Sequence, residues 1–207
     1  MTLVQPSKIV CVGRNYAAHA RELGNPLPKE PLLFFKPPSA VIGSGDAIVM
    51  PVVSRQVEYE AELAIVMGKR ARKVSETSAM DFVRGLTCAN DVTCRDLQKT
   101  DGQWARAKGF DTFCAVGPVI AEGLNWRMLE VIGRLNGEER QRGATSDMIF
   151  GLPRLIEYIS HIMTLEAGDV ILTGTPEGVG PMQPGDVVEV EIAGIGTLRN
   201  PVTAEPA

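Results

Sequence analysis

The chain has 207 residues, 44% of them hydrophobic, and a formal net charge of −4. This composition supports a sizeable apolar core and excludes an intrinsically disordered chain, and the slight acidic balance offers no broad basic field for nucleic acid. The length suits a single domain over 1–207, with 1–7 and 203–207 expected as frayed ends.

In chain order, Met1 to Lys8 lacks a basic region followed by an apolar one, so no signal peptide is expected. No apolar run approaches the ~20 residues that cross a bilayer. Lys8 to Gly13 (KIVCVG) reads as a strand, and Asn15 to Leu23 as one or two helical turns ended by Gly24, Pro26 and Pro28. Leu32 to Lys36 and Ala47 to Met50 are further strands, separated by Pro-Pro and Gly-Ser-Gly turn chemistry. Val57 to Met67 (VEYEAELAIVM) reads as one strand. The cationic run Lys69 to Lys73 reads as a solvated turn after it. Ser75 to Arg84 reads as a helix capped by Ser75 or Thr77.

Leu86 to Val92 is apolar apart from Thr87, Asn90 and Asp91, and Cys94 to Lys99 suggests a helical turn. Phe113 to Ile120 is extended. Ile132 to Asn136 and Arg140 to Gly143 form the halves of a hairpin around Gly137. Leu152 to Met163 carries Leu152, Leu155, Ile156, Ile159 and Met163 on one helical face. Val170 to Thr173, Val187 to Ile192 and Thr197 to Val202 are strands. Cys11, Cys88, Cys94 and Cys114 form no CxxC pair and read as reduced thiols of a cytoplasmic protein. Two histidines and no paired cysteines argue against a zinc site.

Alternation along Val57 to Met67 puts Glu58, Glu60 and Glu62 on one face, neighbours roughly 6 to 7 Å apart. Like charges at that spacing cost energy unless something positive lies between them. On this pattern alone an edge strand with an exposed acidic face is the simpler explanation. Asp91 adds a third acid at the end of a strand that reads as buried. Together the carboxylates make an oxygen-rich set suited to Mg²⁺ or Mn²⁺. Such a set leaves a residual negative charge that favours nearby cations such as Lys108 or Arg14. His19 and Glu22, three residues apart, share one side of a helical turn and can hydrogen-bond, an arrangement common on helix surfaces as well. Arg14 is a candidate clamp for a substrate carboxylate, and Lys36, at a strand end after Phe34-Phe35, is another. Thr173-Gly-Thr-Pro-Glu-Gly-Val-Gly180 is glycine-rich but lacks the Gly-Lys-Ser/Thr of a nucleotide loop; it reads as a tight turn presenting Thr175 or backbone amides.

The segments Ile9 to His19 (IVCVGRNYAAH), Tyr59 to Leu63 (YEAEL), Asn90 to Gln98 (NDVTCRDLQ), Arg106 to Asp111 (RAKGFD) and Leu172 to Gly180 (LTGTPEGVG) resemble the fumarylacetoacetate hydrolase family. The resemblance is closest to its short members and runs from about Lys8 to Val202. It implies a β-rich α+β fold, a mixed β-sandwich or roll with short flanking helices, in a homodimer. It assigns metal ligation to Glu60, Glu62 and Asp91, leaving Glu58 out, and places the family's catalytic residues on His19, Glu22 and Lys108. Gln98 and Thr175 match substrate-contacting positions. With no extra N-terminal domain, fumarylacetoacetate itself is the less expected substrate.

These assignments point to a Mg²⁺- or Mn²⁺-dependent enzyme on small 2-oxo acids. The cation acts as a Lewis acid toward an enolate, and a His19–Glu22 pair activates water. Hydrolysis of a C–C bond in acylpyruvates is the leading expectation. Oxaloacetate decarboxylation and isomerisation of an unsaturated 2-hydroxy diacid use the same groups, and a 2-oxo acid binding module is the non-enzymatic alternative.

Overall fold

The computed structural model describes residues 4–22, 24 and 26–206. The expectations for residues 1–3, for Leu23 and for Ala207 lie outside the described residues. In chain order the elements are β1 (Ile9–Gly13), α1 (Ala17–Glu22), β2 (Leu32–Lys36), β3 (Val41–Ile42), β4 (Ile48–Met50), β5 (Val57–Tyr59) and β6 (Ala61–Met67). Next come β7 (Val83–Asp91), β8 (Thr93–Cys94), α2 (Arg95–Thr100), α3 (Ala105–Lys108) and β9 (Cys114–Ala121). The last part holds β10 (Glu130–Leu135), β11 (Glu138–Ala144), α4 (Leu152–Ile162), β12 (Val170–Leu172), β13 (Gly180–Pro181), β14 (Val187–Ile192) and β15 (Gly196–Ala204).

The expected β-rich mixed fold with short helices is the fold observed. A seven-stranded sheet has the order β2-β1-β12-β6-β7-β9-β3, a five-stranded sheet the order β11-β10-β14-β15-β4, and a three-stranded sheet the order β13-β5-β8. Strand β1 runs parallel to β12, β3 to β9 and β4 to β15, while β6 is antiparallel to both β12 and β7. The central sheet is covered on both faces, which is why its strands read as nearly continuous apolar runs. Leu63, Ile65 and Met67 of β6 enter one cluster with Val190 of β14 and with Leu155 and Ile159 of α4. Ala64 faces the other way, with Cys11, Ala89 and Leu172.

Four expectations change. Val57 to Met67 is two strands, because the chain leaves the three-stranded sheet and enters the seven-stranded one at Glu60. Ser75 to Arg84 is not an α-helix: Glu76–Phe82 forms 3-10 turns, Ser75 makes no side-chain cap, and β7 already starts at Val83, opposite Met67. Strand pairing overrides local propensity there. Thr203 and Ala204 are not frayed but pair with Val49 and Met50. Ser7 is also held, donating from its backbone N and its Oγ to Asp169 Oδ1 at 3.0 and 2.7 Å. Among the described residues no helix is long and apolar enough to cross a membrane.

Helix α4 supplies a direct test of this packing. Leu155 is fully buried, so Leu155→Ala is expected to cost about 2–5 kcal/mol. Urea unfolding should show a lower midpoint at an unchanged slope. An unshifted midpoint would mean that α4 does not close the core.

Candidate active site

The register of the central sheet assembles the carboxylates. Glu62 lies opposite Ala89 and Asp91 opposite Cys114, and the Asp91 amide donates to Glu60 O at 2.9 Å. Glu60, Glu62 and Asp91 therefore converge, with one oxygen of each within 4.8 Å of the others. All three are buried. Glu58 is drawn aside by Arg95, whose Nε donates to Glu58 Oε2 at 2.7 Å.

Three fixed cations surround the cluster. Lys108, at the end of α3, donates to Glu60 Oε2 and Asp91 Oδ2, each at 2.9 Å. Arg95 Nη2 donates to Glu60 Oε1 at 2.6 Å. Lys36 Nζ lies 2.8 Å from Asp91 Oδ1. Its three N–H groups, however, point at carbonyls, Val92 O at 2.9 Å, Lys108 O at 2.6 Å and Phe113 O at 2.7 Å. Asp91 Oδ1 is thus close to a positive charge and still lacks a hydrogen-bond donor. Among the described residues Glu62 has no cationic partner, only the Gly174 N–H at 2.6 Å.

These surroundings split the two strand glutamates. Burial pushes the Glu60 carboxyl up, but the Lys108 and Arg95 charges outweigh burial and hold it below the usual carboxylate range. Burial, reinforced by Asp91 and Glu60, holds Glu62 well above that range. Burial alone would lower Lys108, yet Asp91 and Glu60 raise it above an ordinary lysine, so it stays an ammonium.

A divalent cation fits this donor set. Among the described residues Glu62 has no cation beside it, and Asp91 Oδ1, though close to Lys36, accepts no hydrogen bond. Four buried carboxylates (Glu58, Glu60, Glu62 and Asp91) face only three fixed cations. Hard carboxylate oxygens are the ligands that Mg²⁺ and Mn²⁺ prefer.

The dyad enters from β1. Asn15 locks the chain just before α1: its Nδ2 donates to Thr173 O at 2.8 Å and Phe150 O at 3.0 Å, and its Oδ1 accepts from Phe150 N at 2.8 Å. Helix α1 then presents His19, whose Nδ1 lies 3.0 Å from Glu22 Oε2. A carboxylate only accepts, so Nδ1 carries the proton and Nε2 of the neutral ring keeps a lone pair. The other Glu22 oxygen accepts from Gly178 N at 3.0 Å. Gly178 has φ +94°, and a Cβ there would sit 2.0 Å from Arg140 O, so only glycine supplies this amide.

The three clustered acids, His19 and Lys108 line a single cleft of about 280 Å³. Phe34 and Trp104, packed edge to face with centroids 5.3 Å apart, form its apolar wall. Arg14, Gln98 and Thr175 also line it. Arg14 has φ +58°, a conformation that non-glycine residues keep mainly where a site requires it. Gln98 Oε1 accepts from Arg95 Nη1 at 2.6 Å, and the Thr175 hydroxyl donates to Ala61 O at 2.8 Å.

This chain matches the family described as Fumarylacetoacetate (FAA) hydrolase C-terminal over residues 8–203. The chain belongs to the fumarylacetoacetate hydrolase family. It is 49% identical over 201 residues to the mitochondrial oxaloacetate tautomerase FAHD1 of Arabidopsis thaliana, covering 94% of this chain and 90% of that protein. The structure of 5-carboxymethyl-2-hydroxymuconate delta-isomerase from Mycobacterium smegmatis superposes with a TM-score of 0.93 at 48% identity, covering 99% of this chain and 81% of that one. A fumarylacetoacetate hydrolase from psychrophilic Exiguobacterium antarcticum gives a TM-score of 0.89 at 42% identity, covering 98% and 76%.

Within this family member Lys36 is not the substrate clamp expected from the sequence. Its side chain is buried beneath Asp91 and saturated by three carbonyls, so it braces the cluster from behind. The residue overlooked is Arg95, which ties Glu58, Glu60 and Gln98 together. The signal was available: three acids on one strand demand a cation, and Arg95 follows Asp91 by four residues. Asn15 went unassigned because its role depends on contacts more than 130 residues away.

Glu60→Ala, Glu62→Ala and Asp91→Ala should each remove most Mn²⁺ affinity in calorimetric titration, and Glu58→Ala much less. Equal losses at Glu58 and Glu62 would mean that Glu58 is a ligand. The raised Glu62 pKa also sets a pH signature. Its protonated form is favoured by folding, so that contribution is complete below the ordinary carboxylate pKa of about 4.3 and is lost as pH rises through the elevated folded value. In chelator, Glu62→Gln should therefore gain thermal stability relative to wild type as pH rises. Parallel melting profiles for the two proteins would contradict this.

Proposed function

We propose that the chain moves protons on small 2-oxo acids, and that keto–enol interconversion of oxaloacetate is its first reaction. The observation that carries this reading is a base, His19, that faces the carboxylate cluster across one small cleft with its proton-bearing nitrogen already fixed by Glu22. The cleft's volume, about 280 Å³, sits at the lower edge of the range for ligand pockets, which suits a short substrate.

Glu60, Glu62 and Asp91 would hold Mg²⁺ or Mn²⁺, which when bound supplies Lewis-acid polarisation of the keto group. His19 Nε2 takes the proton from the carbon beside the keto group and returns one to carbon or oxygen. Glu22 stabilises the imidazolium that forms in between, and Gly178 keeps Glu22 in place. Lys108 remains charged and offsets negative charge growing at the keto oxygen. Arg14, on the cleft wall, has the paired donors to hold a substrate carboxylate. Tautomerisation needs these groups and nothing more, and the plant relative bears that name.

The second reading is hydrolysis of an acylpyruvate, in which His19 activates a water. It needs the same groups plus a positioned water, and the name of the Exiguobacterium relative favours it.

One mutant set tests both readings. With Mn²⁺ binding checked first, His19→Ala should lower kcat/KM for oxaloacetate enol conversion by about 10² to 10⁴, the usual worth of a positioned base. Glu22→Gln should lower it less. Acetylpyruvate and fumarylpyruvate are assayed on the same preparations. Full oxaloacetate activity in His19→Ala would remove the proton-transfer reading, and faster turnover of the acylpyruvates by wild type would install the hydrolytic one.

A further inference from the structure

Among the described residues, none from the five-stranded sheet lines the catalytic cleft. One side chain of that sheet nevertheless reaches the segments that build the cleft. Strand β11 leaves Glu138, Glu139, Arg140 and Arg142 exposed and buries Gln141, which is 1% exposed. Gly133, its partner across the hairpin, leaves the space. A Cβ at Gly133 would sit 3.0 Å from both Gln141 Oε1 and the Ala61 Cβ.

The Gln141 amide makes three hydrogen bonds. Its Oε1 accepts from Ala61 N at 2.9 Å. Its Nε2 donates to the Thr175 hydroxyl and to Pro176 O, each at 2.8 Å. These partners fix which end of the amide is which, because Ala61 N only donates and Pro176 O only accepts. Thr175 closes a ring by donating to Ala61 O at 2.8 Å.

Both sides of this ring bear on the site. Ala61 stands between Glu60 and Glu62, just where the chain changes sheets and the strand ladder is interrupted. Side chains hold the backbone there instead. Asn90 Oδ1 accepts from Glu60 N at 2.9 Å, and Gln141 takes the next amide. Glu60 and Glu62 share one face of the strand, so a rotation of the backbone at Ala61 would move both carboxylates. On the other side, Thr175 and Pro176 lie in the loop whose two glycine amides hold the acids. Gly174 N donates to Glu62 at 2.6 Å and Gly178 N to Glu22 at 3.0 Å.

We propose that Gln141 is a positioning residue for both halves of the site. Through Ala61 it sets the placement of Glu60 and Glu62. Through Thr175 and Pro176 it sets the loop that fixes Glu22, and with it the tautomer of His19. The first half rests on the acid cluster taking up a divalent cation. Neither half depends on which reaction the cleft performs.

The test compares Gln141→Met, an apolar side chain of similar length, with Leu155→Ala, which weakens the core away from the cleft. Mn²⁺ affinity is read by calorimetry. The His19 tautomer is read from the ring nitrogen NMR shifts of metal-free protein, at a pH where the ring is neutral. His161→Gln assigns the signals, since the chain has two histidines. Gln141→Met should bind Mn²⁺ at least tenfold more weakly, and His19 should gain the Nε2–H tautomer at the expense of Nδ1–H. Leu155→Ala should keep its Mn²⁺ affinity within twofold of wild type and its tautomer unchanged. If Gln141→Met does not fold, Gln141→Asn, whose amide is one methylene shorter, takes its place with the same expectations. A folded Gln141 variant with wild-type Mn²⁺ affinity overturns the first half, and one with the wild-type tautomer overturns the second. A wild type that binds no Mn²⁺ overturns the first half alone. Equal losses in Leu155→Ala overturn both, because the effects would then be those of general destabilisation.

Discussion

Like charges buried together are the constraint on which the rest of this structure depends. Glu60, Glu62 and Asp91 bring oxygens within 4.8 Å of one another, where each pair of charges repels by about 3–4 kcal/mol at an effective dielectric of 20. Three such pairs approach the whole net stability of an ordinary domain. No fold keeps that arrangement without cations, and here each cation is delivered by a different element: Lys36 by β2, Arg95 by α2 and Lys108 by α3. The short helices that follow β7 are therefore part of the charge balance as much as of the packing.

The same arithmetic explains why the balance is incomplete. Arg95 is shared between Glu58 and Glu60, and Lys36 has its hydrogens committed to backbone carbonyls. Glu62 is left with no cation beside it among the described residues, only the Gly174 N–H, and Asp91 Oδ1 has the Lys36 charge beside it but no hydrogen bond. A stability-driven design would remove this residue of negative charge. A site able to hold a divalent cation requires it, and the deficit falls on the carboxylates that line the cleft.

The His19–Glu22 pair is held by a separate set of contacts. Asn15 crosses to Thr173 and Phe150, so the start of α1 is tied to the end of β12 and to the segment before α4. Gly174, at φ +100°, lies so close to Asn15 that an added Cβ would sit 2.8 Å from the Asn15 Cβ, and its amide is the one that holds Glu62. One tight turn thus positions the Glu62 carboxyl and packs against Asn15, which anchors the start of α1. Gly178, four residues on, holds Glu22. The glycine-rich loop, legible in the sequence only as a turn, is the joint between the two halves of the site.

Much of this was legible in the amino-acid order because it depends on local periodicity. Alternation along Glu58 to Glu62, the three-residue spacing of His19 and Glu22, and the apolar stripe of α4 are short-range patterns that mark element type and shared face. The joint order of five motifs pointed to the family. What short-range pattern does not encode is which cation meets which acid. At Glu60 the chain changes sheets, and Arg95, 35 to 37 residues away, takes up Glu58 and one oxygen of Glu60. Lys36 looked like a substrate clamp at a strand end, yet carbonyls of residues 92, 108 and 113 enclose it. The extra strand start at Val83 and the pairing of Thr203 and Ala204 were likewise decided by partners distant in sequence. Sequence alone determined the family and marked the candidate residues; tertiary structure decided which charges they meet, because electrostatic energy depends on distance in space and on burial, and neither is a property of position along the chain.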